Sequence, residues 1–568
     1  MVPTLQNSWH IGFPNPYWNW SVLIALKYLI KGLIMSTEKV DVIVIGAGVA
    51  GMTAAGMLTK DCNKKVVVLE RASFIGGRCL SYVGDGKKVV ADGIEMDSDA
   101  FRESLAHAQT YLGKCTPDIE TIFEEGLLDG RTFEAGGHGL FWGNNNRADC
   151  MLKHFGKHVE MPLNRGLGFI EWQGLNEDGS VKKTISHQVE KNKPYSWMSE
   201  EGFAKTMQQL GNMSTLTFED MTKLTTMPLQ DWLEERGMHE EAYAYIKVLA
   251  ACQTGQAEPR MTNAADFLGY MAMARHIRMN LTTGSVATAD KPGTIAIPMS
   301  LEQPITDNGG EIWRDTPVKE VIIENGVIKG VKYKKDGEIK TLMADNVICT
   351  IPPQYIFEVL PEDAFPKDWV TFMRDDHWGI GLLTGWVGTK RSITEDLGID
   401  KRSFIWMPGI TTEEEGFIGV VDMVMCEFDS WKDGDADRAP DGKTEYLFSC
   451  GLTEGEMRDP EKVNLVIERC EAWAKTNFPT WDEDVEFIFW TPSPGALGSY
   501  RPVGTERTRH KSEHIDGLWF AGDQYGEKCW GCGVDFAVLS GINCVDKMMG
   551  TNFEEELFPP HHRGLPIK

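Results

Sequence analysis

Hydrophobic and polar positions first fall into a regular pattern at residue 40. Val40-Asp41-Val42-Ile43-Val44-Ile45 is a short β-branched run, which predicts a buried parallel strand. Gly46 to Gly51 follows without a gap, and Met52 to Thr59 then carries a helical pattern. Lys65 to Glu70 (KVVVLE) predicts a second strand that ends in an acid. Thr316 to Tyr333 alternates as a hairpin, with its turn at Asn325-Gly326. Gly517 to Ala521 predicts a strand that runs into Gly522-Asp523, with a helix over Asp535 to Met549. Thr217 to Ile246 contains helical patterns with charged faces, including Asp231-Trp232-Leu233-Glu234-Glu235.

The segment Gly46-Ala47-Gly48-Val49-Ala50-Gly51 fits a dinucleotide-binding turn. Gly46 permits the tight turn, Gly48 lets backbone approach a pyrophosphate, and Gly51 lets the helix pack closely on the strand. The helix start, Val49-Ala50, then offers N–H groups and a positive dipole end to phosphate. Glu70 lies 19 residues after Gly51, where a carboxylate accepts from ribose hydroxyls and disfavours a 2′-phosphate. The expected fold class is α/β, with a Rossmann-type parallel sheet interleaved with an α+β substrate domain.

Length and composition refine this picture. A chain of 568 residues predicts two intertwined domains. Eighteen Trp and 26 Met suit either a large apolar cavity or an ordinary large core. A formal net charge of −26 repels phosphate backbones, which argues against nucleic acid as a partner, and disfavours anionic lipid except through a local basic patch. Twelve scattered Cys fit a reducing, cytoplasmic interior. Residues 18–35 form an apolar run interrupted by Lys27 and Lys31, a poor transmembrane span. Two readings stay open: an amphipathic segment that touches a membrane or covers a groove, or a non-native leader before a start at Met35.

Together with the first unit, Ile75-Gly76-Gly77-Arg78, Gly309-Gly310-Glu311-Ile312, Thr316 to Val321, Ala344 to Pro353 and Leu518 to Asp523 carry a family resemblance. In order and spacing they resemble the FAD-dependent amine oxidase and phytoene desaturase superfamily, on its phytoene desaturase and carotenoid isomerase-like side. The likeness is good over the nucleotide domain and poor over 150–300 and 360–500. It implies FAD, expected to be non-covalent, and hydride transfer at the flavin. It assigns Glu70, with neighbouring Arg71, to the adenosine ribose, Gly76, Gly77 and Arg78 to the pyrophosphate and ribityl chain, and the Val318 backbone to the adenine. Gly522 and Asp523 would bind the pyrophosphate–ribityl region, and Gly533 and Val534 the flavin pyrimidine end. Gly136-Gly137-His138 would form a floor beneath the flavin, with residues 84–127 as an insertion; Ala91-Asp92-Gly93-Ile94 is the competing floor.

The expected nucleotide domain takes 36–150, 300–355 and 510–550. The substrate domain takes 151–299 and 356–509, with 1–35 as an N-terminal extension and 551–568 as a loose tail.

Candidate chemistry is less specific. Cys529-Trp530-Gly531-Cys532 precedes the last helix, where a thiol is activated, exchanges with flavin or links to it; the alternative is plain packing. His138, Tyr500 and Arg501 are candidate pocket residues. His154 and His158 share an i, i+4 spacing without completing a zinc motif, and no metal is expected. The acidic stretch 433–441 reads as a surface loop. Three functions compete: redox chemistry on a hydrophobic polyene, terpenoid or lipid with an unknown electron acceptor; amine oxidation, which Gly533 at the aromatic-cage position disfavours; and non-catalytic escort of a prenylated partner.

Overall fold

The computed structural model describes residues 39–136, 140–161, 166–175, 181–186, 198–213, 215–216, 218–224, 226–243, 246, 250, 259–276, 286–287, 292–376, 380–397, 403–407, 410–418, 423–429, 438–497, 503, 507–526, 533–559 and 563. The expected hydrophobic pattern builds a seven-stranded sheet. Its members are β1 (Lys39–Ile45), β2 (Val66–Leu69), β12 (Glu311–Trp313), β13 (Val318–Glu324), β14 (Val327–Lys335), β15 (Glu338–Cys349) and β21 (Leu518–Phe520). β12, β2, β1 and β15 are parallel neighbours, and β21 adds in parallel to the C-terminal end of β15. β13, β14 and the first half of β15 form an antiparallel extension, and the β13–β14 turn places Asn325 and Gly326 at positive φ.

The β1 run is apolar on both faces because two cores meet at it. Val42 and Val44 pack with helix α1 (Val49–Lys60), while Val40, Ile43 and Ile45 face the hairpin side. The last long helix, α10 (Gly533–Met549), lies against α1. A Cβ on Gly541 would come within 2.8 Å of the Ala50 carbonyl, so glycine sets how closely these helices approach.

A second, eight-stranded sheet has the order β10-β9-β17-β18-β19-β16-β20-β6. It comprises β6 (Cys115–Thr116), β9 (Gly166–Leu175), β10 (Val181–Ser186), β16 (Ile380–Thr389), β17 (Ser403–Met407), β18 (Met423–Asp429), β19 (Thr444–Thr453) and β20 (Val485–Leu497). Leu383, Tyr446, Phe448 and Trp490 pack beneath α9 (Pro460–Asn477). Trp386, Leu447, Phe487 and Phe489 instead pack on a four-stranded sheet. That sheet contains β3 (Ser81–Asp85), β4 (Lys88–Ala91), β5 (Ile94–Met96) and β7 (Thr132–Glu134). A Met-rich helical cluster packs separately. It includes α5 (Glu200–Met213), α6 (Phe218–Lys223), α7 (Leu229–Glu234) and α8 (Ala264–His276).

Two local expectations change, and a third segment gains detail. The region 84–127, expected as an insertion, carries regular structure. It supplies β4, β5, α2 (Ser98–Leu105) and α3 (Ile119–Glu124), and through Cys115–Thr116 it extends the second sheet. Residues 551–568 are not uniformly a loose tail. Residues 553–557 form α11 (Phe553–Leu557) and Phe558 is buried, because Phe553, Leu557 and Phe558 present one apolar face to the core beside α10. His154 and His158 do not share a helix face. Helix α4 (Arg147–His154) ends between them, at Gly156 with φ +68, and each His meets a separate acid, Asp61 or Glu160. The segment 18–35 lies outside the described residues, among which no helix is long and apolar enough to cross a membrane.

Candidate flavin site

The site forms at the carboxyl ends of β1, β2, β15 and β21, where an open parallel sheet leaves its ligand crevice. β1 delivers Gly46 with φ +103, a conformation that other residues adopt only under strain. A Cβ on Gly51 would sit 2.1 Å from the Gly46 carbonyl, so this glycine allows α1 to start directly above the turn. Gly48 is the N-cap of α1, with no side-chain cap and no acid in the first turn. The N–H groups at Val49 and Ala50 are therefore left for an anion. Gly48 forms a bridge to Gly76, and a Cβ on Gly77 would lie 3.3 Å from the Gly48 Cα. Two backbone turns thus make a cradle without side chains, which fits a pyrophosphate.

Glu70 leaves β2 nearly buried. Its Oε2 accepts from the Ala47 N–H at 2.8 Å and its Oε1 from the Ala72 N–H at 2.9 Å. Burial raises its pKa, while those backbone donors oppose the shift. The Thr316 N–H donates to the Glu70 carbonyl at 2.8 Å, which brings the β13 start and Val318 beside the acid. The exposed Arg71 turns elsewhere and donates to the His107 carbonyl at 3.2 Å. Its guanidinium braces the loop after α2, and its charge still favours the ionised Glu70 carboxylate.

Arg78 forms an ion pair with buried Asp523, joining the first nucleotide segment to the last. Gly522, at φ +151, donates its N–H to Ser540 Oγ on α10 at 2.9 Å. Gly533 and Val534 begin α10. In the next position, Asp535 accepts from the Arg147 N–H and from Arg147 Nη1, both at 2.6 Å. The starts of α4 and α10 are therefore tied by one fully buried ion pair. The sequence pattern did not single out either residue, although an acid inside the apolar stretch 533–545 was the visible signal.

The floor segment is placed by strand pairing. β7 pairs directly with β3, matching Ser81 with Glu134, and Gly136 follows two residues later. A Cβ on Gly136 would stand 3.5 Å from Ser493 Oγ on β20, so this segment lies between the two domains. Ala91-Asp92-Gly93-Ile94 forms the β4–β5 turn. Its Asp92 accepts from the Ile75 N–H at 3.0 Å and pairs with Arg314 at 2.9 Å, supporting the loop before Gly76 from outside. Gly137, His138, Tyr500, Arg501, Cys529, Trp530 and Cys532 lie outside the described residues.

Four buried features escaped the sequence reading. Glu134 accepts from Ser81 Oγ, from Thr294 Oγ1 at 3.1 Å and from Arg438 Nη1 at 3.2 Å. Arg438, from the acidic stretch expected on the surface, is 1% exposed because Glu134 and the Thr132 carbonyl engage it. Residues 433–437 of that stretch lie outside the described residues. Nearby Glu445 is fully buried with neither carboxyl oxygen hydrogen-bonded, and burial pushes its pKa up to about 8 against the pull of Arg438 and Arg131. Gln354, just past the carboxyl end of β15, has both carboxamide atoms buried and unpartnered, beside Gly495. Finally, Arg507 Nη1 donates to the Asp523 carbonyl at 2.7 Å.

The glycine cradle, buried Glu70 and the Arg78–Asp523 pair fit a dinucleotide-binding enzyme. The model of the flavin-containing amine oxidoreductase family matches residues 49–549, and the chain belongs to that family. An oxidoreductase from Methanosarcina mazei shares the fold at 16% identity and a TM-score of 0.60, over 90% of this chain and 100% of that one. A redesigned putrescine oxidase does so at 14% identity and 0.55, over 90% and 100%. A Rab GDI from Plasmodium falciparum does so at 13% identity and 0.54, over 91% and 99%. No curated protein sequence matches the chain. Among the described residues, no group of three or more His, Cys, Asp or Glu is placed to hold a metal ion.

Proposed function

We propose that this flavin-dependent oxidoreductase binds FAD non-covalently and moves a hydride between flavin and an uncharged, hydrophobic substrate such as a polyene, terpenoid or lipid. Bound FAD supplies an acceptor for two electrons and a proton taken from a C–H bond. Gly48, Val49, Ala50, Gly76 and Gly77 would hold the pyrophosphate, Glu70 the ribose, and Arg78 with Asp523 the ribityl side. The α10 start would face the pyrimidine end with its positive dipole.

One observation carries the choice of substrate class: apart from Glu70, which backbone N–H groups hold and which is reserved for the ribose, the buried acids named at this site are matched to cations. Asp523 pairs with Arg78, Asp535 with Arg147, Asp266 with Arg507 and Glu134 with Arg438. Glu445 keeps its proton near neutral pH. Among the described residues, the carboxylates at this site therefore leave no spare charge for an ammonium group, whereas an uncharged substrate asks for none. The helical cluster beside Asp266 is apolar, with Met213, Met221, Trp232, Phe267 and Met271 packed in its core.

Amine oxidation is the second reading, favoured by the family match itself. The escort reading is weaker, because the Glu70 and Arg78–Asp523 elements of a cofactor site are assembled. Anaerobic mixing of FAD-loaded protein with putrescine, or with a detergent-dispersed polyene, separates the first two. Flavin bleaching by the polyene alone supports the proposal; bleaching by putrescine alone overturns it.

A further inference from the structure

Arg507 occupies an unusual place. Its side chain is 3% exposed, yet it belongs to neither the glycine cradle nor the Arg78 clasp. Nη1 donates to the Asp523 carbonyl at 2.7 Å, and the guanidinium stands 4.2 Å from the Phe536 ring centroid in the first turn of α10. Its other terminal nitrogen, Nη2, is 3.5 Å from Asp266 Oδ1 on α8, in the helical cluster. The Asp523 carboxylate itself pairs with Arg78. Asp266 is a carboxylate partner of Arg507 at a loose distance. One buried cation thus joins the turn before α10, the start of α10 and a helix of the second domain.

We propose that Arg507 is a positioning residue for the electrostatics of flavin reduction, with Asp266 acting as its counterweight. The inference rests on the reading that the Asp523 turn and the α10 start hold the flavin. When a C–H bond gives up a hydride, two electrons and one proton reach a neutral oxidised flavin, which gains one negative charge. The substrate is left positive and loses a proton to form its double bond. A buried guanidinium favours the charged, reduced flavin, because low local polarity leaves the interaction poorly screened. Asp266 opposes this effect. Its place on α8 also links the flavin's reducibility to the seating of the helical cluster.

Sulfite provides a test without a substrate, since it adds to oxidised flavin, leaves a negative charge there and bleaches the flavin absorbance. In FAD-loaded full-length protein, Arg507→Met is expected to weaken sulfite binding about tenfold, equivalent to about 30 mV for a two-electron couple. Arg507→Lys should remain within about threefold of the parent, because the charge stays. Asp266→Asn should move in the opposite direction and tighten binding, which mere loosening of the structure would not do. The opposed shifts support the inference, and the Lys and Asn variants keep it testable if Arg507→Met does not fold. Unchanged sulfite affinity in a flavin-loaded Met variant, or weakened affinity in Asp266→Asn, overturns it. Failure of the underlying cofactor reading looks different: the parent protein itself would take up no FAD.

Discussion

Replacing Glu445 by Gln should remove a pH-dependent weakness from the domain interface with little change in shape. Glu445 lies in β19 opposite Gly388 of β16, on the sheet face that carries Trp386, Leu447 and Phe487. Arg438 and Arg131 favour its charged form, and burial, reinforced by Glu134, outweighs both, giving a pKa of about 8 against an ordinary 4.5. The folded protein therefore keeps this proton while the unfolded chain gives it up above its own pKa. Folding takes up a proton in that window, so the contribution is greatest below about 4.5 and is lost as pH rises towards about 8. At about 1.4 kcal/mol per pH unit, wild type should lose on the order of 2 kcal/mol relative to Glu445→Gln between about pH 6 and 8. Glu554, raised to about 7, and His510, lowered to about 4, are common to both proteins and cancel in the difference. Urea unfolding of each protein across that range, read by tryptophan fluorescence, gives the quantity directly. A stability difference that stays constant with pH would refute the reasoning.

Arg147→Met should cost about 3–5 kcal/mol by stranding buried Asp535, and Arg147→Met/Asp535→Leu should recover much of that loss in the same unfolding assay. Gln354→Leu should raise stability by about 1 kcal/mol, since two unpaired buried polar atoms leave the protein; thermal unfolding would show it. Gly51→Ala places a Cβ against the Gly46 carbonyl, and should destabilise by about 1–3 kcal/mol and lower FAD affinity, both measurable by titration with FAD during thermal unfolding.

The nucleotide half was legible in the sequence because its constraints are local. A tight turn needs Gly46, close packing needs Gly51, and a strand buried on both faces needs an unbroken apolar run such as residues 42–45. The pairings that assemble the site are not local. Arg147 meets Asp535, Arg438 meets Glu134 and Arg507 meets the Asp523 carbonyl, each across domain segments that no spacing rule connects. Arg438 was misread for this reason: an arginine among Asp, Gly and Pro looks solvent-exposed until its buried partner is known. The terminal helix was missed because three apolar residues in a short polar stretch are too few to establish a period. Strand pairing also shows what chain order hides, since β7 lies beside β3 despite the long segment between them.

Binding of FAD by Glu70 and Asp523 is the proposal on which the rest depends. Its most direct test is the absorbance spectrum of purified full-length protein beside Glu70→Ala and Asp523→Ala, followed by acid precipitation. Oxidised-flavin bands are expected in the parent, with release of the flavin into the acid supernatant and loss of the bands from both variants. Full flavin occupancy in both variants would contradict it.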